Sequence, residues 1–158
     1  MGPLKTSTQL YLRHYQLSAI NKDFEDKTEK IKLDQELFPK VKNQYSVLRI
    51  ESGGHLGFNQ IDLTEIATVQ VDLYTKNDEK PKGTLTIKAD QKIIGTSESS
   101  KYIDNGNGGY RIQIPISEFN SFTKVSLNYE HPKWNHSIAI HRLDFLTKDQ
   151  TNLQLSLK

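Results

Sequence analysis

The stretch from Gly53 to Tyr74 constrains this chain most. Gly53-Gly54 reads as a bend, Leu56 to Gln60 as a short half-apolar strand, and Asp62-Leu63-Thr64 as a turn. Val69, Val71 and Leu73 then point one way while Thr68, Gln70 and Asp72 point the other. A period of two describes a half-buried antiparallel strand with one apolar and one polar face. The stretch is a β-sheet signature and carries no catalytic pattern.

The same rhythm recurs along the chain. Gln9 to Leu17 is a predicted first strand, and Ser18 to Asn43 is the most polar part. We read that part as a surface excursion with a short strand near Glu29–Leu33; the charges of Asp23 to Lys27 would fit one helical turn. A run of charges of this kind usually does no more than solvate a face. Tyr45 to Ile50 is a strand ahead of the glycine pair, and Lys76 to Lys82 reads as a polar hairpin loop. Leu85 and Ile87 continue the alternation, and Asp90-Gln91-Lys92 reverses the chain into Ile93-Ile94-Gly95. Ser97 to Gly109 is a long polar loop whose Asn and Gly residues tolerate positive φ.

Tyr110, Ile112, Ile114 and Ile116 define the next strand, and Pro115 puts it at an edge or at its end, since proline cannot donate to a ladder. Val125 to Tyr129 and Ser137 to Leu146 are further strands around a loop at His131–His136, and Leu153, Leu155 and Leu157 suggest a closing strand. Strands at short, regular spacing, with turn clusters between them and no long helical pattern, predict an all-β, two-sheet antiparallel sandwich.

Composition bounds the function. The 158 residues suit one domain, and a hydrophobic content of 35% with a mean hydropathy of -0.64 fits strands that keep one polar face. The formal net charge is +2, and no basic stripe interleaves with aromatics, which argues against a nucleic-acid partner. No apolar run reaches the length of a membrane span, and zero cysteines exclude disulfides and thiolate metal sites. Met1-Gly2-Pro3 lacks the features of a signal peptide and reads as an expression start or remnant. The expected organisation is a tail over residues 1–8 and one sandwich domain over residues 9–158.

The order of these pieces resembles the family 6 carbohydrate-binding modules, β-jelly rolls of the galactose-binding-like group. The resemblance rests on Gly53-Gly54-His55-Leu56-Gly57-Phe58, on Thr84-Leu85-Thr86-Ile87 ahead of Ile94-Gly95-Thr96, on Gly108-Gly109-Tyr110, and on Ile140-His141-Arg142-Leu143-Asp144-Phe145. The rhythm of Phe58 to Thr64 is closest to variants appended to multidomain bacterial sugar dehydrogenases and ThuA-like proteins. The resemblance covers roughly Gln9 to Leu146. It implies a secreted accessory module, periplasmic or extracellular, that targets an attached enzyme to a polysaccharide or oligosaccharide.

The resemblance also says where to look. The family's structural calcium uses first-strand carboxylates and a late aspartate, places taken here by Tyr11, Arg13 and His141. None is a hard anionic oxygen donor, so no metal and no other cofactor is expected. The family's sugar cleft sandwiches a ring between two aromatics beside an asparagine, because a pyranose has an apolar C–H face and a hydrogen-bonding rim. Tyr110 stands where one aromatic is expected. Arg49 holds the other's place with Tyr45 close by, and the asparagine falls near Ala139, with Trp134 and Asn135 in the loop before it. The expected sugar contacts are therefore Tyr110, Trp134, Asn135, Arg49 and Tyr45.

Each has a plainer reading. Tyr110 would pack into the core, and Trp134 would cover the open end of the sandwich. His131 and His136 lack a third ligand, and His14, His55 and His141 read as satisfied residues. Nucleophile elbow, phosphate loop and zinc-helix motifs are all missing, so the chain is not expected to be an enzyme. The leading expectation is a non-catalytic carbohydrate-binding module. The alternative is a ligand-free structural or protein-interaction sandwich that packs on other domains of a larger polypeptide.

Overall fold

The alternation closes into antiparallel strands in the computed structural model, which describes residues 14–16, 25–32, 40–42, 46–75, 80–133 and 136–151. These are β1 (His14–Gln16), β2 (Glu25–Lys32), β3 (Ser46–Asp62), β4 (Thr68–Tyr74), β5 (Thr84–Ala89), β6 (Lys92–Thr96), β7 (Ile103–Asp104), β8 (Tyr110–Pro115), β9 (Phe122–Glu130) and β10 (Ser137–Leu146). Their order is β6-β5-β9-β3-β10-β4-β8-β7, with β1 on β10 and β2 on β3. A curled antiparallel sheet of this kind is the expected all-β sandwich.

The glycine pair does something other than bend the chain between two strands. β3 is one strand of 17 residues. It pairs with β10 through residues 48–51 and with β9 through residues 55–62, so it belongs to both layers. Gly53, at φ +86°, lies where the strand passes from one partner to the other. While β2 advances from Asp26 to Thr28, β3 runs from His55 back to Ile50, so the surplus residues form a bulge. Bulges of this kind bend a strand without ending it.

The core lies between the layers. Val69, Val71, Leu73, Ile112, Ile114, Ile140, Leu143 and Phe145 come from one; Leu56, Phe58, Leu85, Ile87, Val125, Leu127 and Tyr129 come from the other. Phe58 and Phe145 meet edge to face across the gap, with centroids 6.3 Å apart. At one corner Ser117 N–H donates to the Ile94 carbonyl, and Gly95 lies so near Pro115 that a Cβ there would sit 2.6 Å from its carbonyl oxygen.

Two expectations are corrected. β4 is buried on both faces. Its polar side is sealed because strands remote in sequence satisfy it: Arg111 grips Asp72 at 2.8 and 3.2 Å, Gln113 donates to Gln70, and Gln70 donates to Asp144. Polar groups buried in pairs of this kind escape the cost of losing water unpaired. The segment after β4 is no hairpin, because β4 pairs with β10 and β8 while β5 pairs with β6 and β9. β4 and β5 lie in different layers, and residues 76–79 between them lie outside the described residues. The short strand expected near Glu29–Leu33 is observed as β2, which starts earlier than expected and takes in Glu25, Asp26 and Lys27. β2 pairs only with β3 among the described strands, and an edge strand accommodates charge.

The reversal at Asp90–Lys92 and the strand end at Pro115 are observed. The polar loop from Ser97 also contains a 3₁₀ turn (Ser97–Ser99) and β7. Of the predicted first strand, His14–Gln16 pair with β10, and residues 9–13 lie outside the described residues. The predicted closing strand at Leu153–Leu157 lies outside them as well. After β10 the chain forms a helical turn, where Thr147 N–H donates to Gln150 Oε1 and Gln150 N–H donates to Thr147 Oγ1.

Candidate functional site

Register gathers several connections at one end of the sandwich. β10 starts with Ser137 opposite Glu51, β4 ends with Tyr74 opposite Ala139, and β8 starts with Tyr110 opposite Leu73. β9 ends with Glu130 opposite Thr84. The bulge of β3, the 104–109 turn and the 131–136 connection therefore share this end.

The 104–109 turn is held by its own side chains. Asp104 Oδ1 accepts from Gly106 N–H, and Asn105 Oδ1 accepts from the N–H groups of Asn107 and Gly109. Gly106 and Gly108 both take φ +82°, which glycine adopts without strain. Asn107 reaches outward: its Oδ1 accepts from Lys42 N–H at 2.7 Å, and its Nδ2 donates to the Tyr74 hydroxyl at 3.0 Å.

The 131–136 connection hangs on Ser52, a buried residue of the β3 bulge. Ser52 Oγ donates to the His131 carbonyl and accepts from His131 N–H, both at 2.9 Å, and Ser52 N–H donates to the His136 carbonyl. Lys133 N–H donates to His131 Nδ1 at 2.9 Å. The rings of His131 and His136 stack with centroids 3.8 Å apart and an interplanar angle of 9°. Partial desolvation, followed by the positive charges of His136, Lys133 and Lys82, holds His131 below the usual imidazole range.

Tyr110 is half-buried on the core side of β8, packed against the main core and edge-on to Tyr102 at 6.4 Å. Burial pushes the Tyr102 phenol up to about 12, against a hydrogen bond with Ser97, and burial likewise carries Tyr129 to about 12. Arg49 lies between Leu48 and Ile50, which point into the core, so its side chain lies on the opposite face of the sheet. The row Tyr110–Leu73–Ile140–Leu48 separates β8 from β3 by three strand spacings, about 14 Å. A ring sandwiched at van der Waals contact leaves about 8 Å between its two partners. The fold does not bring Arg49 and Tyr110 into one clamp. Tyr45, Trp134 and Asn135 lie outside the described residues.

Ala139, at the family's asparagine position, is buried in a small second cluster with Val41, Val47 and Tyr74. Sequence reasoning missed Tyr74, Asn107 and Val41 at this end. Tyr74 continues the polar face of Thr68, Gln70 and Asp72, so its side of the sheet was legible; Val41, one apolar residue between two lysines, gave no signal. Asp144, the late carboxylate, is occupied by Gln70 and by Arg142 at 3.1 Å. Among the described residues no group of three or more His, Cys, Asp or Glu side chains is poised to hold a metal.

This architecture is an antiparallel β-sandwich, and the solved structures it matches include family 6 carbohydrate-binding modules. One, from Clostridium cellulolyticum in complex with xylose, superposes with a TM-score of 0.62 at 12% identity, covering 84% of this chain and 95% of the module. A β-1,3-glucan-binding module from Bacillus halodurans gives 0.63 at 11% identity, covering 84% and 93%. A module from Clostridium stercorarium in complex with cellobiose gives 0.60 at 12% identity, covering 85% and 93%. No family model and no curated protein matches the sequence. At these identities the likeness establishes the fold.

Proposed function

We propose that this chain is a non-catalytic glycan-binding module that meets a polysaccharide or oligosaccharide at the loop end of its sandwich. The observation that carries this reading is the match over most of the chain to modules described with xylose, cellobiose and β-1,3-glucan. The loop end supports it. Its turns are fixed by their own Asx side chains and by Ser52, and rigid loops lose little entropy on binding. Tyr110, half-buried at the start of β8, offers an aromatic edge there, and in the sequence Trp134 and Asn135 fall between His131 and His136. We further propose that the module works outside the cytoplasm, in the periplasm or beyond the cell, attached to an enzyme whose substrate it concentrates.

Separation of Arg49 from Tyr110 argues for contact with one sugar face rather than a two-sided clamp. The test is titration with xylan, cello-oligosaccharides and laminarin, followed by calorimetry and by the emission of Trp134, the only tryptophan. Binding that weakens at least tenfold in Trp134→Ala or Tyr110→Ala is the expected result. Silence across the panel would overturn the reading and leave a ligand-free structural domain.

A further inference from the structure

The 104–109 turn contains asparagine followed by glycine twice, as Asn105-Gly106 and as Asn107-Gly108. Such a pair is open to a reaction of its own, in which the glycine nitrogen attacks the carbonyl carbon of the asparagine side chain. Glycine permits the approach because it carries no Cβ to obstruct it. The fold treats the two pairs differently. Gly106 is exposed, and a Cβ built on it would meet nothing within 4 Å. A Cβ on Gly108 would collide with the backbone of Lys40 and Val41. The Asn107 side chain is also tied at both ends, accepting from Lys42 N–H at 2.7 Å and donating to the Tyr74 hydroxyl at 3.0 Å.

Around Asn105 the hydrogen bonds fall on the atoms that the reaction uses. The nucleophile is the Gly106 nitrogen, and its N–H donates to Asp104 Oδ1 at 2.7 Å. A carboxylate at that distance is within reach of the proton that must leave as the nitrogen attacks. The electrophile is Asn105 Cγ, whose oxygen gathers negative charge as the tetrahedral intermediate forms. That oxygen, Oδ1, already accepts from Asn107 N–H at 2.9 Å and from Gly109 N–H at 3.1 Å. Acyl-transfer sites stabilise a developing oxyanion with backbone donors in this way. Asn105 N–H donates to the Gly109 carbonyl at 3.1 Å, so the residue is anchored while its side chain is polarised.

We propose that Asn105-Gly106 is a self-modifying site, at which Asp104 takes the proton from the Gly106 nitrogen while the Asn107 and Gly109 amides hold the oxyanion. A bond forms between the Gly106 nitrogen and Asn105 Cγ. The Cγ–Nδ2 bond then breaks, and ammonia leaves with the proton that Asp104 had taken. The product is a cyclic succinimide between residues 105 and 106. Water opens it at Cγ to give aspartate, or at the main-chain carbonyl to give isoaspartate with an extra methylene in the backbone. Either product places a new carboxylate beside Asp104, and the second lengthens the turn that leads into Tyr110. None of these steps involves a glycan.

The test incubates the full chain at neutral pH, folded and in guanidinium chloride. Residues 105 and 107 are followed by peptide mass mapping, with isoaspartate read by enzymatic methylation of its carboxylate. In the folded chain Asn105 is expected to convert roughly tenfold faster than Asn107, and faster than it does unfolded, where neither pair has its hydrogen bonds. Asp104→Asn keeps an acceptor for Gly106 N–H and removes the base. It is expected to slow Asn105 about tenfold in the folded chain and to leave the unfolded rate unchanged. Conversion of Asn105 no faster than that of Asn107, or slower folded than unfolded, overturns the proposal. An unchanged folded rate in Asp104→Asn overturns it as well. If that variant does not fold, the comparison within the parent chain decides.

Discussion

Replacing Ser52 with alanine tests whether the loop end is organised from the β3 bulge. Ser52 is 6% exposed, and its hydroxyl both donates to and accepts from the backbone of His131 at 2.9 Å. A net hydrogen bond contributes about 1 kcal/mol, so losing two costs about 2 kcal/mol. For a domain of this size, 1 kcal/mol moves Tm by about 2–4 °C, which gives an expected fall of about 4–8 °C. The backbone bond from Ser52 N–H to the His136 carbonyl does not involve the hydroxyl, so the loop loosens on its His131 side. The assay is urea and thermal unfolding by circular dichroism, with Trp134 emission reporting the loop in the native state. Ser52→Thr, which keeps a hydroxyl, is expected to recover most of the loss. A change below about 0.3 kcal/mol, or an unchanged Trp134 spectrum, would refute the idea that this hydroxyl organises the loop.

Three further outcomes follow from the geometry. Asp72→Ala leaves the partly buried Arg111 guanidinium without this partner, whose hydrogen bond raises its pKa; the expected cost is about 1–3 kcal/mol, measured by urea unfolding, and a double-mutant cycle with Arg111→Leu recovers part of it. His131 titrates below the ordinary imidazole value of about 6.5, so the folded loop favours the neutral ring. Its contribution is then complete above that pH and lost as pH falls below it; Trp134 emission is expected to shift as the pH is lowered below about 6.5, and not to do so in His131→Gln. The Tyr102 and Tyr129 phenols are expected to titrate near about 12 in an ultraviolet titration, with their contribution to stability intact below about pH 10 and lost as pH rises toward 12.

The strands that were legible are those where apolar side chains recur at every second position. β10 runs from Ser137 to Leu146 as read, and β5 and β6 turn at Asp90–Lys92. Alternation reports a strand's own faces and says nothing of what covers them. Asp72 looked solvent-facing because its partner, Arg111, stands on another strand 39 positions away. Gly53 looked like a turn because a glycine at positive φ serves a bulge equally well, and only the partner strands distinguish the two. The site divided along the same line. Tyr110 was found from the glycines before it, and the faces of Leu48, Arg49 and Ile50 already implied that Arg49 points away from the core. What register alone supplied was that Arg49 and Tyr110 stand on opposite faces, three strands apart, and that Ala139 lies between Arg49 and Tyr74.

The sheet-crossing strand has a consequence for how the molecule is made. Both long partners of β3 come from the last third of the chain: β9 for one half and β10 for the other. Until they exist, β3 has only the charged strand β2 to pair with among the described strands. A ribosome releasing this chain from its N-terminus therefore holds one half of the central strand without its partner until β9 has emerged at residue 130, and the other half until residue 140 has emerged. Such late, non-local pairing makes folding slow and leaves an apolar strand exposed in the meantime. The order of synthesis, and not only the finished sandwich, decides how long Leu48, Ile50, Leu56 and Phe58 remain in contact with water.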